Sequence, residues 1–201
     1  MPLLPLFPLD VVLFPGIPLP LHIFEPRYKE MIGECLAAHS EFGIVRAQEQ
    51  GLCEIGCTAE IVSVTKEYSD GRLDIVTEGR NRFEILQLNQ DRSLLRGDVL
   101  PIADESGTPD SAATSRAVRL HAQILAIAGA VQDLSAANQA MLSFYLAGSL
   151  PLDLDFKQKL LELRSEDLRI ASLVEYFGAL LPKLHHASRA RSSVSGNGHV
   201  H

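Results

Sequence analysis

The sequence predicts an α+β protein in which a small closed or half-closed β-barrel, carrying one packed helix, is followed by a helical bundle. Two observations carry that prediction. From Leu3 to about Val99 short apolar runs are broken by Pro and Gly, without the strand–helix alternation of a doubly wound sheet. From about Ala112 to Leu184 apolar residues recur instead at the spacing of one helical face. Residues 1–102 are therefore expected to form the barrel, 103–115 a linker, 116–186 the bundle and 187–201 a disordered tail.

In chain order, the extended runs Asp10–Phe14 and Ile17–Phe24 flank a Pro15-Gly16 turn signal. The prolines at 2, 5, 8, 15, 18 and 20 confine such runs to edge positions or strand starts. Pro26 suits the first position of a helix, and Tyr28, Met31, Ile32, Cys35 and Leu36 then give it one apolar face to pack on the strands. Further strands are expected at Phe42–Arg46, Ile55–Tyr68, Leu73–Thr77, Arg82–Leu88 and Leu94–Leu100, with Ser69-Asp70-Gly71 as a hairpin turn and Gly79-Arg80 as a break. Residues 101–115 have the composition of a mobile surface loop.

The first bundle helix is striped by Leu120, Ile124, Ile127 and Val131, and the second by Met141, Leu142, Tyr145 and Leu146 behind the capping candidate Ser135. Phe156, Leu160 and Leu163 mark a third. A fourth carries Ile170, Leu173, Val174, Phe177, Leu180 and Leu181, leaving Arg164, Glu166, Asp167, Arg169 and Glu175 for solvent. From Ser188 the apolar periodicity stops, which predicts a frayed tail.

Composition narrows the function. The 201 residues, 46% hydrophobic and 21% charged, suit an ordinary globular protein. Eighteen basic against 25 acidic residues give a net charge of −7, which repels nucleic acid and anionic lipid. Three cysteines, Cys35, Cys53 and Cys57, are an odd count that fits a reducing cytoplasm better than a disulfide framework. The apolar first 24 residues are interrupted by proline and lack a basic leader, so neither a signal peptide nor a membrane span is expected.

The run Leu4-Pro-Leu-Phe-Pro-Leu9, the Phe14-Pro15-Gly16 step and above all Pro20-Leu-His-Ile-Phe-Glu-Pro-Arg-Tyr28 resemble the N-terminal domain family of Lon proteases, a domain shared with cereblon. Phe42-Gly43-Ile44-Val45, Ile55-Gly56-Cys57-Thr58-Ala59, Asp70-Gly71-Arg72 and Gly79 through Arg82-Phe83 agree in order and spacing. Leu150-Pro151, Lys157 to Glu162 and the region of Arg169 extend the likeness more loosely into the helical half. The resemblance implies a PUA-like barrel with a helical bundle behind it, and a role in recognising polypeptides. Because a Lon protease continues into an ATPase and a Ser-Lys protease domain, it also implies a stand-alone, non-enzymatic member without either. The family-motif residues Pro15, Gly16, Pro20, Leu21, Phe24, Glu25, Arg27, Tyr28, Gly71, Gly79, Arg82 and Phe83 are read as structural.

Other constellations give less. Gly51 to Thr58 mimics P-loop spacing, but Cys57 stands where a lysine must reach the phosphates, and the flanks read strand to strand. Glu25 and Arg27 read as an ion pair at a helix start, and Phe24 and Tyr28 as core or interface packing. Cys53 and Cys57, with His22 and His39 upstream, sketch a metal site, yet residues four apart on a strand are about 13 Å apart. No cofactor and no metal is expected. His185, His186, Arg189 and Arg191 form a basic end that reads as solvated.

The expected partner is an unfolded or extended polypeptide segment held at exposed apolar residues, with a separate protease or another protein as a further partner and with oligomeric state left open. RNA binding through a PUA-like barrel is the alternative, disfavoured by the charge and by the lack of a strand interleaving aromatic and basic residues. An unrecognised hydrolase ranks lower, since no nucleophile, base and orienting group assemble from the sequence.

Overall fold

The sheet is organised on one long strand that pairs with three others. In the computed structural model, which describes residues 3–89, 94–107, 109–131, 134 and 141–195, that strand is β6 (Leu73–Asn89). The other strands are β1 (Leu4–Leu9), β2 (Pro18–Ile23), β3 (Phe42–Gln48), β4 (Gly51–Leu52), β5 (Ile55–Glu67) and β7 (Arg96–Pro101). The helices among the described residues are α1 (Pro26–Ala38), α2 (Ser111–Ile127), α3 (Leu142–Gly148), α4 (Leu154–Glu162) and α5 (Glu166–Ser195). The protein is thus α+β, with a mostly antiparallel sheet. It divides into two compact units, residues 1–104 with 147–164, and residues 105–146 with 165–201.

In the first unit β5 runs antiparallel to β6 from Ile55↔Glu84 to Glu67↔Leu73. On the other side of β6, β2 covers its first half and β7 its second. β3 pairs antiparallel with β5 and parallel with β1, while the first residues of β1 pair with β7. Followed in the order β1, β7, β6, β5, β3, the pairings return to β1. The core is filled by Phe7, Ile23, Phe42, Ile44 and Ile75 from the strands, and by Tyr28, Met31, Ile32 and Cys35 from α1. Phe7 and Tyr28 stack with ring centroids 4.0 Å apart.

Two local expectations are corrected. Asp10–Phe14 is not a strand: it makes no ladder, and Leu13 and Phe14 are buried while the chain bends from β1 toward β2. Gly79-Arg80 does not end a strand, since β6 continues through it, but the ladder to β5 shifts register there, with Arg80 and Asn81 bulged between Gly79↔Ala59 and Arg82↔Cys57. The glycine serves close backbone approach. A Cβ on Gly79 would lie 2.2 Å from the Phe14 carbonyl oxygen, where the Pro15-Gly16 turn docks through Gly16 N–H to Gly79 O (2.8 Å) and Gly79 N–H to Ile17 O (3.1 Å). Gly16 itself has φ +74°, open to a residue without a side chain.

Arg82 ties the sheet to α4. Its side chain is 4% exposed, and it donates to the carbonyls of Leu161 (2.7 Å) and Leu163 (2.6 Å) and pairs with Asp104. The last carbonyls of a helix have no intrahelical donor, so a guanidinium placed there satisfies them and complements the helix dipole. At the other end of α4, Asp153 accepts from Phe156 N–H (3.0 Å) as N-cap, and Arg46 pairs with Asp155 at 2.6 Å. Gln158 donates to the Ile55 carbonyl at 3.0 Å. Residues 147–164, which sequence assigns to the helical half, group with the sheet through these contacts.

In the second unit α2 begins at Ser111, inside the stretch expected as linker, because Asp110 caps it by accepting from Ala112 and Ala113 N–H. Val131, the last residue of the expected stripe, lies past the helix and is 98% exposed. Glu166 and Arg169 are not left to solvent as expected. Both are buried: Arg169 Nη2 meets Glu166 Oε2 at 2.7 Å, Ser143 donates both N–H and Oγ–H to the same carboxylate, and the guanidinium lies 4.3 Å over the Phe144 ring. A buried ion pair persists only when fully hydrogen-bonded, a condition that helical periodicity does not reveal. α5 continues to Ser195, into the stretch expected as a tail, while Ser135 and residues 196–201 lie outside the described residues.

Replacing Arg82 by Met strands two carbonyls and a carboxylate, so R82M should lose about 3–5 kcal/mol of stability in urea unfolding, and R82K part of it. In the second unit His121 is 1% exposed, and burial holds its imidazole below the ordinary histidine range. The unfolded chain then binds the extra proton first, so stability is intact above the ordinary histidine pKa of about 6.5, falls as pH drops from there toward the depressed folded pKa, and levels off below it. Melting temperatures between pH 7.5 and 5 should show that fall, and His121→Gln should flatten it.

Candidate functional site

Strand alternation sorts β2 into two rows. Leu19, Leu21 and Ile23 point into the core, and Pro18, Pro20 and His22 stand on the outer, exposed face. Residues opposite each other in a ladder share a face, and the register sets His22 against Asp74 on β6, with Lys66 of β5 against Asp74 on its other side. The hairpin between β5 and β6 closes through Tyr68 N–H to Arg72 O (2.9 Å) around Gly71 at φ +78°. That turn returns the Tyr68 ring over the same face.

The result is a row of rings on the β2–β6–β5 ribbon. Asp74 Oδ1 lies 2.5 Å from His22 Nδ1, and its Oδ2 accepts from the Tyr68 hydroxyl at 2.9 Å. The His22 ring stacks on Phe24 at 5.9 Å and meets Tyr68 edge-on at 5.8 Å. Lys66 Nζ and the Arg72 guanidinium lie 4.4 and 4.8 Å from the Tyr68 centroid. Phe24 is 58% exposed although it follows directly on the buried Ile23. Hydrogen bonds from His22 and then Tyr68 hold the Asp74 carboxyl below the usual carboxylate range. The row presents apolar ring surface whose polar groups are partnered among themselves, which suits adhesion to other side chains.

The sequence-predicted residues divide between support and surface. Pro15, Gly16 and Gly79 form the docked turn, and Phe83 packs on Gly43 and Gly56, where an added Cβ would lie 2.7 Å from its ring. Arg82 holds α4, Tyr28 is core, and Leu21 is half-buried beneath the ribbon. Glu25 pairs with Arg27 at 2.8 Å as α1 begins, and Arg27 lies 4.5 Å over the Tyr28 ring. Gly71 shapes the hairpin, and Lys29 Nζ reaches the Asp70 carbonyl at 3.1 Å. Only Phe24 and Pro20 belong to the exposed row. Sequence reasoning missed Tyr68 and Asp74 and saw His22 only as a metal candidate, although its two-residue offset from Pro20 places it on the outer face.

Elsewhere in the first unit, Asp10, Arg46, Glu49 and Asp155 line an open cleft of about 620 Å³. Arg46 is nearly buried there between Asp155 and Asp10, 2.6 and 3.5 Å away, so its charge is already matched. The stretch from Gly51 to Thr58 leads from β4 into β5, strand to strand. Cys57 is fully buried, and burial pushes its thiol up to about 12. Among the described residues no group of three His, Cys, Asp or Glu side chains is placed to hold a metal ion, and no helix is long and apolar enough to cross a membrane.

Comparisons with known proteins agree with one another. Residues 3–177 match the family model described as the ATP-dependent protease La (LON) substrate-binding domain. Lon protease 1 of Hydrogenovibrio crunogenus is 26% identical over 92% of this chain, and Lon protease of Parabacteroides distasonis 33% identical over 50% of it. This chain spans 24% and 13% of those two relatives. A crystal structure of a Lon N-terminal domain protein from Xanthomonas campestris is 25% identical with a TM-score of 0.72, covering 88% of this chain and 99% of that one. The N-terminal domain of Mycobacterium avium complex Lon protease is 18% identical, with a TM-score of 0.62 and coverage of 88% and 98%.

If His22 and Tyr68 set the acidity of Asp74, carbon-detected NMR titration should find its carboxyl below the ordinary range in the unmodified chain. The midpoint should move up in His22→Gln and further in the H22Q/Y68F double variant.

Proposed function

We propose, for a chain that belongs to the substrate-binding domain family of the ATP-dependent protease La (LON), that it binds unfolded or extended polypeptide segments on the outer face of the β2–β6–β5 ribbon and performs no chemistry on them. The observation that carries this reading is Phe24, a large aromatic side chain more than half exposed and stacked on the His22 ring, which in turn meets Tyr68 edge-on. Family membership supplies the kind of ligand, and ring surface with internally matched charge supplies the means. Aromatic side chains add large contact area at low conformational entropy, so a guest segment gains from them without a defined fold of its own.

The closed circuit of strand pairings is read as a PUA-like β-barrel, and the helices of the second unit as its bundle. The barrel supports the ribbon: Leu19, Leu21 and Ile61 pack on the core below it, so the rings stand on rigid strands. Pro15, Gly16, Gly71, Gly79, Arg82 and Phe83 act through that support. In the relatives a protease belongs to the same chain as this domain; for this chain the guest is proposed to pass to a separate protease or another protein, in the cytoplasm.

The test is fluorescence anisotropy with a labelled, carboxymethylated and permanently unfolded protein. Phe24→Ala should weaken binding about tenfold, the effect of losing an aromatic anchor worth ~1.5 kcal/mol, and leave the melting temperature unchanged because Phe24 contributes little to the core. Equal binding by F24A and the unmodified chain would sink the site, and capture of RNA with steep salt dependence would replace the reading altogether.

A further inference from the structure

The register of β2 has a consequence for its second edge. Gly79 N–H donates to Ile17 O at 3.1 Å, Thr77 Oγ1 donates to Leu19 O at 2.9 Å, and the ladder continues without a shift from Pro18↔Glu78 to Ile23↔Leu73. In an antiparallel strand the backbone groups of successive residues point alternately toward and away from the neighbour. Ile17, Leu19, Leu21 and Ile23 therefore turn theirs toward β6, and Pro18, Pro20 and His22 turn theirs away. Among the described residues β2 pairs with β6 alone. Its outer edge consequently carries three carbonyls but one N–H, that of His22, since proline has none.

An added strand would find acceptors for its N–H groups and almost no donors for its carbonyls. Each carbonyl buried without a donor disfavours pairing on the order of tenfold or more. We propose that the outer edge of β2 is closed to strand addition, whether by a second copy of this chain or by a guest polypeptide. A bound segment therefore lies across the ribbon face on side-chain contacts with Phe24, His22 and Tyr68, forming no β-ladder. The second half of this inference rests on the recognition reading above; the first half stands on the register alone.

Two measurements on the full chain separate the halves. In sedimentation velocity, the P18V/P20V variant, whose side chains remain on the outer face and whose edge regains two donors, should self-associate at least tenfold more strongly than the unmodified chain. An unchanged association constant in a variant with the same melting temperature would overturn the closed edge. In the second measurement, a labelled ten-residue peptide of Leu, Phe, Tyr and Ser is compared with the same peptide N-methylated at alternate residues. Affinities within about twofold support docking by side chains, whereas a loss of tenfold or more would reveal a ladder and overturn the proposal. Should neither peptide bind, the recognition reading fails and sedimentation alone decides the edge. Should the double variant not fold, N-methylation decides the mode of docking.

Discussion

The buried tie between the sheet and α4 in the first unit is the guanidinium of Arg82. A fully formed α4 ends on carbonyls without donors, and an arginine on a central strand carries a charge that must not be buried alone; each corrects the other's deficit. Phe83 faces the opposite way and requires glycine at 43 and 56 for its ring. Two consecutive residues of β6 thus fix what lies on either side of it.

The same strand serves the ribbon. Where β7 pairs with its second half, β2 pairs with its first, and the hairpin to β5 projects there with Tyr68 at its end. A surface for loosely structured guests benefits from a stiff base, because the guest alone then loses conformational freedom on binding. The half-buried residues under β2 and the Pro15-Gly16 turn docked on Gly79 provide that base.

Much of the architecture could be read from residue patterns. The Pro26 helix, the Asp70-Gly71 hairpin, most strand positions and the greater part of the helical stripes, Val131 and Leu163 apart, follow from local rules that tertiary structure did not override. Misreadings arose where one residue type serves two purposes. Gly79 looked like a break because glycine usually ends strands, yet here its missing side chain admits another backbone. Glu166 and Arg169 looked solvated because charge usually is, and only the position of Ser143 shows that they are matched inside. The ring row was hidden for a similar reason: His22, Phe24, Tyr68 and Asp74 come from separate strands and turns, and register alone assembles them. Phe24 could be noticed in the sequence, but not its exposure.

The division of the chain bears on how it is made. The first unit comprises residues 1–104 and 147–164, so the sheet leaves a ribosome some forty residues before the helix that completes it. In that interval Arg82 lacks the Leu161 and Leu163 carbonyls, and the partners that Arg46 and Ile55 find in Asp155 and Gln158 have not been synthesised. The core of Phe7, Phe42, Ile44 and Ile75 lies wholly within the first hundred residues, but the polar ties that seat α4 on the sheet do not. Those ties close only when the late segment arrives, so the last polar contacts of the sheet are made by the chain's second half.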